Sequence, residues 1–396
     1  MKNRSLLMIP GPIEFEPAVL AEMGAPTTSH VAPDFIEAFG QALERMRKVF
    51  LCPNGQPFVI AGSGTLAMDS AGANLTEPGD RALVINTGFF SDRFGAILER
   101  YGAQVTHLRV PVGDCPTLEA VETALQASPY KLMTITQVDT STGVLADVRS
   151  LAVLARKYNV LCVVDGVCSV AGEELRMADW NVDVALTASQ KAIGVPPGLA
   201  LLVASPRALT VFGDRKTPVA NYYADWSNWL GVMQAYEARK PSYFGTPAVN
   251  LVFALNVSLG QILADGMEAR FAHHHMISQA MKAGISALGL GQVPVRPEIA
   301  ANTMTAPRFP AGIAAPDFLA AVNQAGVTLA GGLHPVIRAE YFRIGHMGSI
   351  KQADMLATLG AIEYGLARCG YSFTPGQGLS AAMASVQENR VLNGER

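Results

Sequence analysis

Between residues 58 and 204 the sequence repeats one local pattern seven times: a short apolar, β-branched run, usually followed by a segment with helical spacing. The runs fall at residues 58–61, 82–86, 105–110, 132–137, 161–164, 182–186 and 199–204. Runs of this length without polar alternation suit strands buried on both faces, as in a parallel sheet sandwiched between helices. The pattern therefore predicts an α/β fold whose large domain is built on a mainly parallel seven-stranded sheet. After Pro247 the spacing turns helical, over 248–264 and 266–288. The remaining segments, 304–306, 318–325, 341–344 and 351–367, predict a small C-terminal α+β domain. The expected division is residues 1–264 for the large domain, with an N-terminal arm 1–15, and 265–396 for the small one. The tail 374–396, rich in Gly, Ser and Ala, is expected either to cover a site or to lack fixed structure.

Hydrophobic residues make up 49% of the 396 positions, enough for a sizeable core and too many for a disordered chain. The net charge of −3 comes with no basic patch, so nucleic acid is not an expected partner. Five scattered cysteines (Cys52, Cys115, Cys162, Cys168, Cys369) form no CxxC pair, which argues against a zinc site or a disulfide framework and for a reducing compartment. The apolar run Leu6 to Ile9 stops at Pro10, too short for a secretory signal, and nothing approaches the roughly 20 apolar residues of a membrane span. A cytoplasmic location without membrane association is expected.

Four features fall at the C-terminal ends of predicted strands or in the late segments, and each has an ordinary reading of its own. Gly62-Ser63-Gly64-Thr65 links a strand to a helix, so it is either a structural turn or a cradle for a phosphate at the helix N-terminus. Asp165 follows an apolar strand and is either a helix cap or the counter-ion of a protonated heterocycle. Lys191, between an apolar strand and Gly194-Val195-Pro196-Pro197-Gly198, is either a loop lysine or a buried amine able to condense with an aldehyde. Arg343, between Phe342 and Ile344, is either a strand-edge arginine or a carboxylate clamp. Together they have one economical explanation. Pyridoxal 5′-phosphate (PLP) needs a lysine, an acid for its pyridine nitrogen and a phosphate site, and an amino-acid substrate needs its carboxylate held.

These residues and their spacing resemble the class V aminotransferases of fold type I, and within them the alanine–glyoxylate and serine–glyoxylate (serine–pyruvate) group. The resemblance runs through Pro10-Gly11-Pro12, Ala61-Gly62-Ser63-Gly64-Thr65, Ser141-Thr142-Gly143-Val144-Leu145, Val164-Asp165, Ser189-Gln190-Lys191, Gly331-Gly332-Leu333 and Arg343-Ile344-Gly345. It implies that Lys191 carries PLP and Asp165 pairs with its ring nitrogen. It further implies Thr140 near the phenolic oxygen, and Ser63, Gly64, Thr65 and Gln190 at the phosphate. Tyr243 and Thr246 match positions that reach the phosphate of a neighbouring subunit, which implies a homodimer with shared active sites. Arg343, with Gly11, is placed at the substrate. Where relatives often carry a tryptophan over the ring this chain has Phe90, with Phe89 as core, or the two reversed. The implied substrates are small amino acids and 2-oxo acids, with L-alanine donating to glyoxylate and L-serine the alternative donor.

Other conspicuous residues are expected to be ordinary. His273-His274-His275 is read as a polar helix face, Cys162 and Cys168 as small core fillers, and Cys369 as too close to a helix for a mobile nucleophile. His334, Arg338 and His346 are read as loop residues near Arg343.

Overall fold

The structure is a computed structural model and describes residues 5–392. Its strands, in chain order, are β1 (Leu6–Leu7), β2 (Gln56–Ala61), β3 (Arg81–Asn86), β4 (Gln104–Arg109), β5 (Leu132–Thr136), β6 (Leu161–Asp165), β7 (Val184–Ala188), β8 (Leu199–Ala204), β9 (Met304–Thr305), β10 (Val327–Thr328), β11 (Ala330–Gly331) and β12 (Phe342–Gly345). The seven apolar runs are β2 to β8, in one sheet of order β2-β8-β7-β6-β5-β3-β4. Only β8 runs antiparallel to its neighbours. Every residue of β5, β6, β7 and β8 is buried, the price of helices covering both faces, while the edge strand β4 is partly exposed.

Parallel pairing brings the C-terminal ends of the strands to one edge. Thr136 stands opposite Asp165, and Asp165 opposite Leu186, so the loops after β5, β6 and β7 open side by side. The turn after β2 joins them and starts the helix Gly64–Leu75. Open α/β sheets take their ligands at this edge.

A second apolar core gathers Met8, Ile277, Met281, Phe318, Phe342, Ile344, Leu359 and Ile362. Around it lie the helices Met267–Ala287, Ala315–Gln324 and Gln352–Arg368 and the antiparallel sheet β11-β12-β9. The start of the N-terminal arm belongs to this core: β1 pairs in parallel with β10, and Met8 is fully buried. The arm then crosses β12, with the Gly345 N–H donating to the Met8 carbonyl at 2.9 Å. A Cβ on Gly345 would overlap the Ile9 carbonyl and lie 2.5 Å from the Pro10 nitrogen, so only glycine lets the arm pass. Gly345→Ala is expected to cost about 1–3 kcal/mol of stability by overpacking against backbone that cannot step aside. Urea unfolding checks this, and an unchanged midpoint would contradict it.

Two expectations are corrected. Within the tail, Gln377–Leu392 forms a helix packed on Met267–Ala287 with Ala382 and Val386 buried, and residues 393–396 lie outside the described residues. Leu379, Ala382 and Val386 recur at helical spacing, a pattern hidden by the small-residue composition. The triple histidine is a polar face only in part: His275 is exposed and His273 partly so, but His274 is 1% exposed. Its Nε2 accepts from the Gly348 N–H at 3.0 Å, so its proton sits on Nδ1, which faces the Arg270 carbonyl at 2.8 Å. Among the described residues no cluster suits a metal ion, and no single helix is long and apolar enough to cross a membrane.

Candidate active site

Lys191 lies three residues beyond the end of β7 and is 8% exposed. Its Nζ donates to the carbonyl of Pro10, so the N-terminal arm ends its crossing on the lysine. Burial strips the ammonium of hydration and lowers its pKa; Arg343 adds to this, while Cys168 and Asp165 oppose it. Gly11 has φ +113°, and a Cβ there would lie 2.7 Å from the lysine Cδ and 2.9 Å from Nζ. Glycine is therefore required both by the backbone and by the lysine it touches.

Asp165 ends β6, and Val167 N–H donates to its Oδ1 at 3.0 Å. Burial pushes its pKa from 3.8 up to about 7, with Asp139 adding to the rise and the Val167 N–H and Lys191 opposing it. A buried acid so placed calls for a cationic partner. The linkage sign follows from the raised value: the folded chain holds a proton that the unfolded chain releases, so stability falls as pH rises from 3.8 to about 7. Asp165→Asn is expected to remove that slope and to make the cofactor-free protein more stable at pH 8 by about 2–4 kcal/mol. Denaturant unfolding of both proteins at pH 4 and pH 8 checks the difference, and parallel pH profiles would contradict it.

Ser63 precedes the helix Gly64–Leu75, and its side chain makes no capping bond. The helix bonds begin with Ala67 N–H to Ser63 O at 3.1 Å, so the N–H groups ahead of it are free for an anion. Gly64 is needed here, since a Cβ would lie 2.8 Å from a Val167 methyl. Gln190 carries a buried Oε1 without a hydrogen-bond partner. Thr65 is exposed, and its hydroxyl accepts from Arg93 at 3.0 Å. That guanidinium also lies 5.1 Å from the Phe89 ring centre and 4.8 Å from that of Phe90. The two rings meet edge to face, both partly buried.

Arg343, on β12, donates from Nε to the Gly331 carbonyl at 2.9 Å and from Nη1 to the Thr140 carbonyl at 3.1 Å. Burial lowers its pKa, and no carboxylate pairs with it among the described residues. Two backbone carbonyls thus aim a guanidinium whose charge bears on Lys191 and still lacks an anion. Thr140 is buried in the loop after β5. Tyr243 and Thr246, by contrast, are exposed, and the Tyr243 ring centre lies 5.2 Å from that of His30. The chain does not bring these two to the other residues. Arg338 is exposed, whereas His346 is buried and bonded to Thr305, not a loop residue on the surface. Cys162 and Cys168 are buried, with both thiols pushed up by burial, as core residues should be.

Three further residues, not among the expected site residues, join this arrangement. Arg93 bridges the helix turn and the aromatic pair. Tyr341, fully buried, donates its hydroxyl to the Ser141 carbonyl and accepts from the Leu333 and His334 N–H groups at 2.8 and 2.9 Å. Asp139, also fully buried, holds the loop that carries Thr140. A carboxylate just past an apolar strand had flagged Asp165, and Val138-Asp139 offered the same signal.

A lysine, an acid and a free helix N-terminus at one sheet edge, with an unpaired buried arginine beside them, define a PLP-dependent enzyme of fold type I. The chain belongs to the class V aminotransferases: the family model "Aminotransferase class-V" matches residues 20–350. It is 39% identical over 361 residues to alanine–glyoxylate aminotransferase 1 of Saccharomyces cerevisiae, covering 88% of this chain and 93% of that one. It is 33% identical to the L-aspartate–glyoxylate aminotransferase of Paracoccus denitrificans, over 98% of both. Among solved structures, pyridoxamine–pyruvate aminotransferase from Mesorhizobium loti superposes with a TM-score of 0.92 at 26% identity, covering 98% of each chain. The cofactor is pyridoxal 5′-phosphate, and the uncapped helix N-terminus and the buried Asp165 carboxyl fit it.

Proposed function

We propose that the protein transfers the amino group of L-alanine to glyoxylate, giving pyruvate and glycine, in a ping-pong cycle. The observation that carries this reading is Arg343, a buried guanidinium without a carboxylate partner whose charge bears on the Lys191 amine. Bound PLP supplies an aldehyde for amines and a ring that takes up the electron pair released at the substrate Cα. Ser63, Gly64 and Thr65, with Gln190, hold its phosphate. Asp165 holds a proton on the ring nitrogen, Thr140 stands by the phenolic oxygen, and Phe90 stacks on the ring. Lys191, its pKa lowered by burial, would hold the cofactor through its aldehyde and is the amine placed to move the substrate Cα proton.

Arg343 holds the carboxylate common to both substrates, as a ping-pong cycle requires. Arg343 serves one carboxylate, whereas a dicarboxylic donor needs a second cation for its side chain. Gly11 lies against the Lys191 side chain, so a larger residue there would crowd the amine. The identity to the yeast alanine–glyoxylate enzyme supports the same donor. Tyr243 and Thr246 act across a homodimer interface, at the phosphate of the neighbouring subunit. Their exposure, and that of Tyr222 at 80%, supports a surface made for a second copy.

The test is kcat/KM for a panel of donors with saturating glyoxylate. Alanine is expected to lead serine and to exceed aspartate by about 10²-fold or more, the penalty of a carboxylate left unpaired. An equal or larger value for aspartate would overturn the choice of donor.

A further inference from the structure

Asp139 follows β5 and is fully buried, with no cation among its partners. Its Oδ1 accepts from the Ser141 N–H at 2.9 Å and the Ser141 hydroxyl at 2.6 Å. Its Oδ2 accepts from the Phe90 N–H at 3.1 Å, the Ser91 N–H at 3.3 Å and the Ser91 hydroxyl at 3.4 Å. Three of these five donors are backbone N–H groups, which cannot turn round to accept. Each oxygen faces at least one; burial raises the pKa of the group, and the Ser141, Ser91 and Phe90 donors work against that rise by favouring an ionised acceptor.

The Phe90 and Ser91 N–H groups open the helix Phe89–Arg100, whose N-cap is Gly88, a residue with no side chain to satisfy them. Asp139 does so from another loop and places a negative charge at the positive end of the helix. The Ser141 hydroxyl completes the joint by accepting from the Phe89 N–H at 3.0 Å. A Cβ on Gly88 would lie 2.6 Å from that hydroxyl and 2.7 Å from the Asp139 Cγ, so the missing side chain is also what lets the loops meet. One loop carries Phe90. The other carries Thr140, whose carbonyl aims Arg343.

We propose that Asp139 is a positioning residue for the cofactor: its carboxylate locks the helix turn bearing Phe90 to the loop bearing Thr140, and so fixes the orientation of the PLP ring. The inference rests on the placement of Phe90 and Thr140 beside PLP. Without this carboxylate, the hydrogen bonds among the described residues that still join the helix turn to the loop are the Thr142 hydroxyl to the Thr87 carbonyl, at 2.9 Å, and the Phe89 N–H to the Ser141 hydroxyl.

The experiment compares wild type, Asp139→Asn and Ser141→Ala. Three quantities are read: the PLP dissociation constant of the apoprotein, the visible circular dichroism per bound PLP at saturation, and the apoprotein melting temperature. Asp139→Asn is expected to weaken PLP binding about tenfold or more and to at least halve the dichroism per bound cofactor. Ser141→Ala, which removes the hydroxyl joint alone, is expected to act in the same direction by about threefold. It decides the question if the first variant does not fold. A lower melting temperature with PLP affinity and dichroism within about twofold of wild type would make Asp139 merely structural and overturn the proposal. A wild-type protein that bound no PLP would instead overturn the cofactor site itself.

Discussion

Replacing Lys191 by alanine is expected to reduce transamination by about 10³-fold or more and to abolish the visible band that PLP gains on bonding to the lysine. No other amine is available in the described site. The lysine is 8% exposed, anchored on the Pro10 carbonyl, and held below its usual pKa chiefly by burial. A larger fraction is thus the free amine, the form that attacks an aldehyde and accepts a proton. Truncating the lysine also orphans the Pro10 carbonyl, so the apoprotein melting temperature is read beside turnover to separate loss of activity from loss of fold. Absorbance of the PLP-treated variant and its turnover at saturating substrates give the answer. A variant within about tenfold of wild type would mean that another group moves the proton.

Arg343→Ala is expected to lower kcat/KM by about 10²- to 10³-fold for the amino donor and for the oxo-acid acceptor alike. The symmetry is the informative part. One guanidinium, aimed by the Gly331 and Thr140 carbonyls, is expected to serve both half-reactions, as a ping-pong cycle requires. Arg343→Lys keeps the charge but loses the planar fork, and the Thr140 and Gly331 carbonyls would compete for the single ammonium. It should recover only a small part of the loss. Separate kinetics with each substrate varied would show the pattern. An acceptor kcat/KM unchanged by Arg343→Ala would place the second substrate elsewhere.

Much of this was legible in the chain because the signals were local. Apolar runs such as 161–164 and 199–204 announce buried strands, and a carboxylate or lysine just past such a run is conspicuous where it stands. Asp165, Lys191 and Gly64 were found that way, and the sheet order then brings them to one edge. What escaped notice depends on contacts across the chain. Asp139 gains its meaning from the Phe90 and Ser91 N–H groups, about fifty residues earlier, and Tyr341 from Ser141, two hundred residues away. The role of Pro10 as an acceptor for Lys191 needs the arm to cross β12 at Gly345, which no periodicity encodes. The terminal helix was hidden by composition: Ala, Ser and Gly mask the spacing of Leu379, Ala382 and Val386.

The most direct measurement adds L-alanine to the PLP-loaded protein with no oxo acid present. The account predicts that the visible band of lysine-bound PLP disappears and that one pyruvate is released per chain, with the band restored by glyoxylate. A band that persists without pyruvate, while another donor discharges it, would contradict alanine as the donor. Failure of every donor would contradict the half-reaction itself.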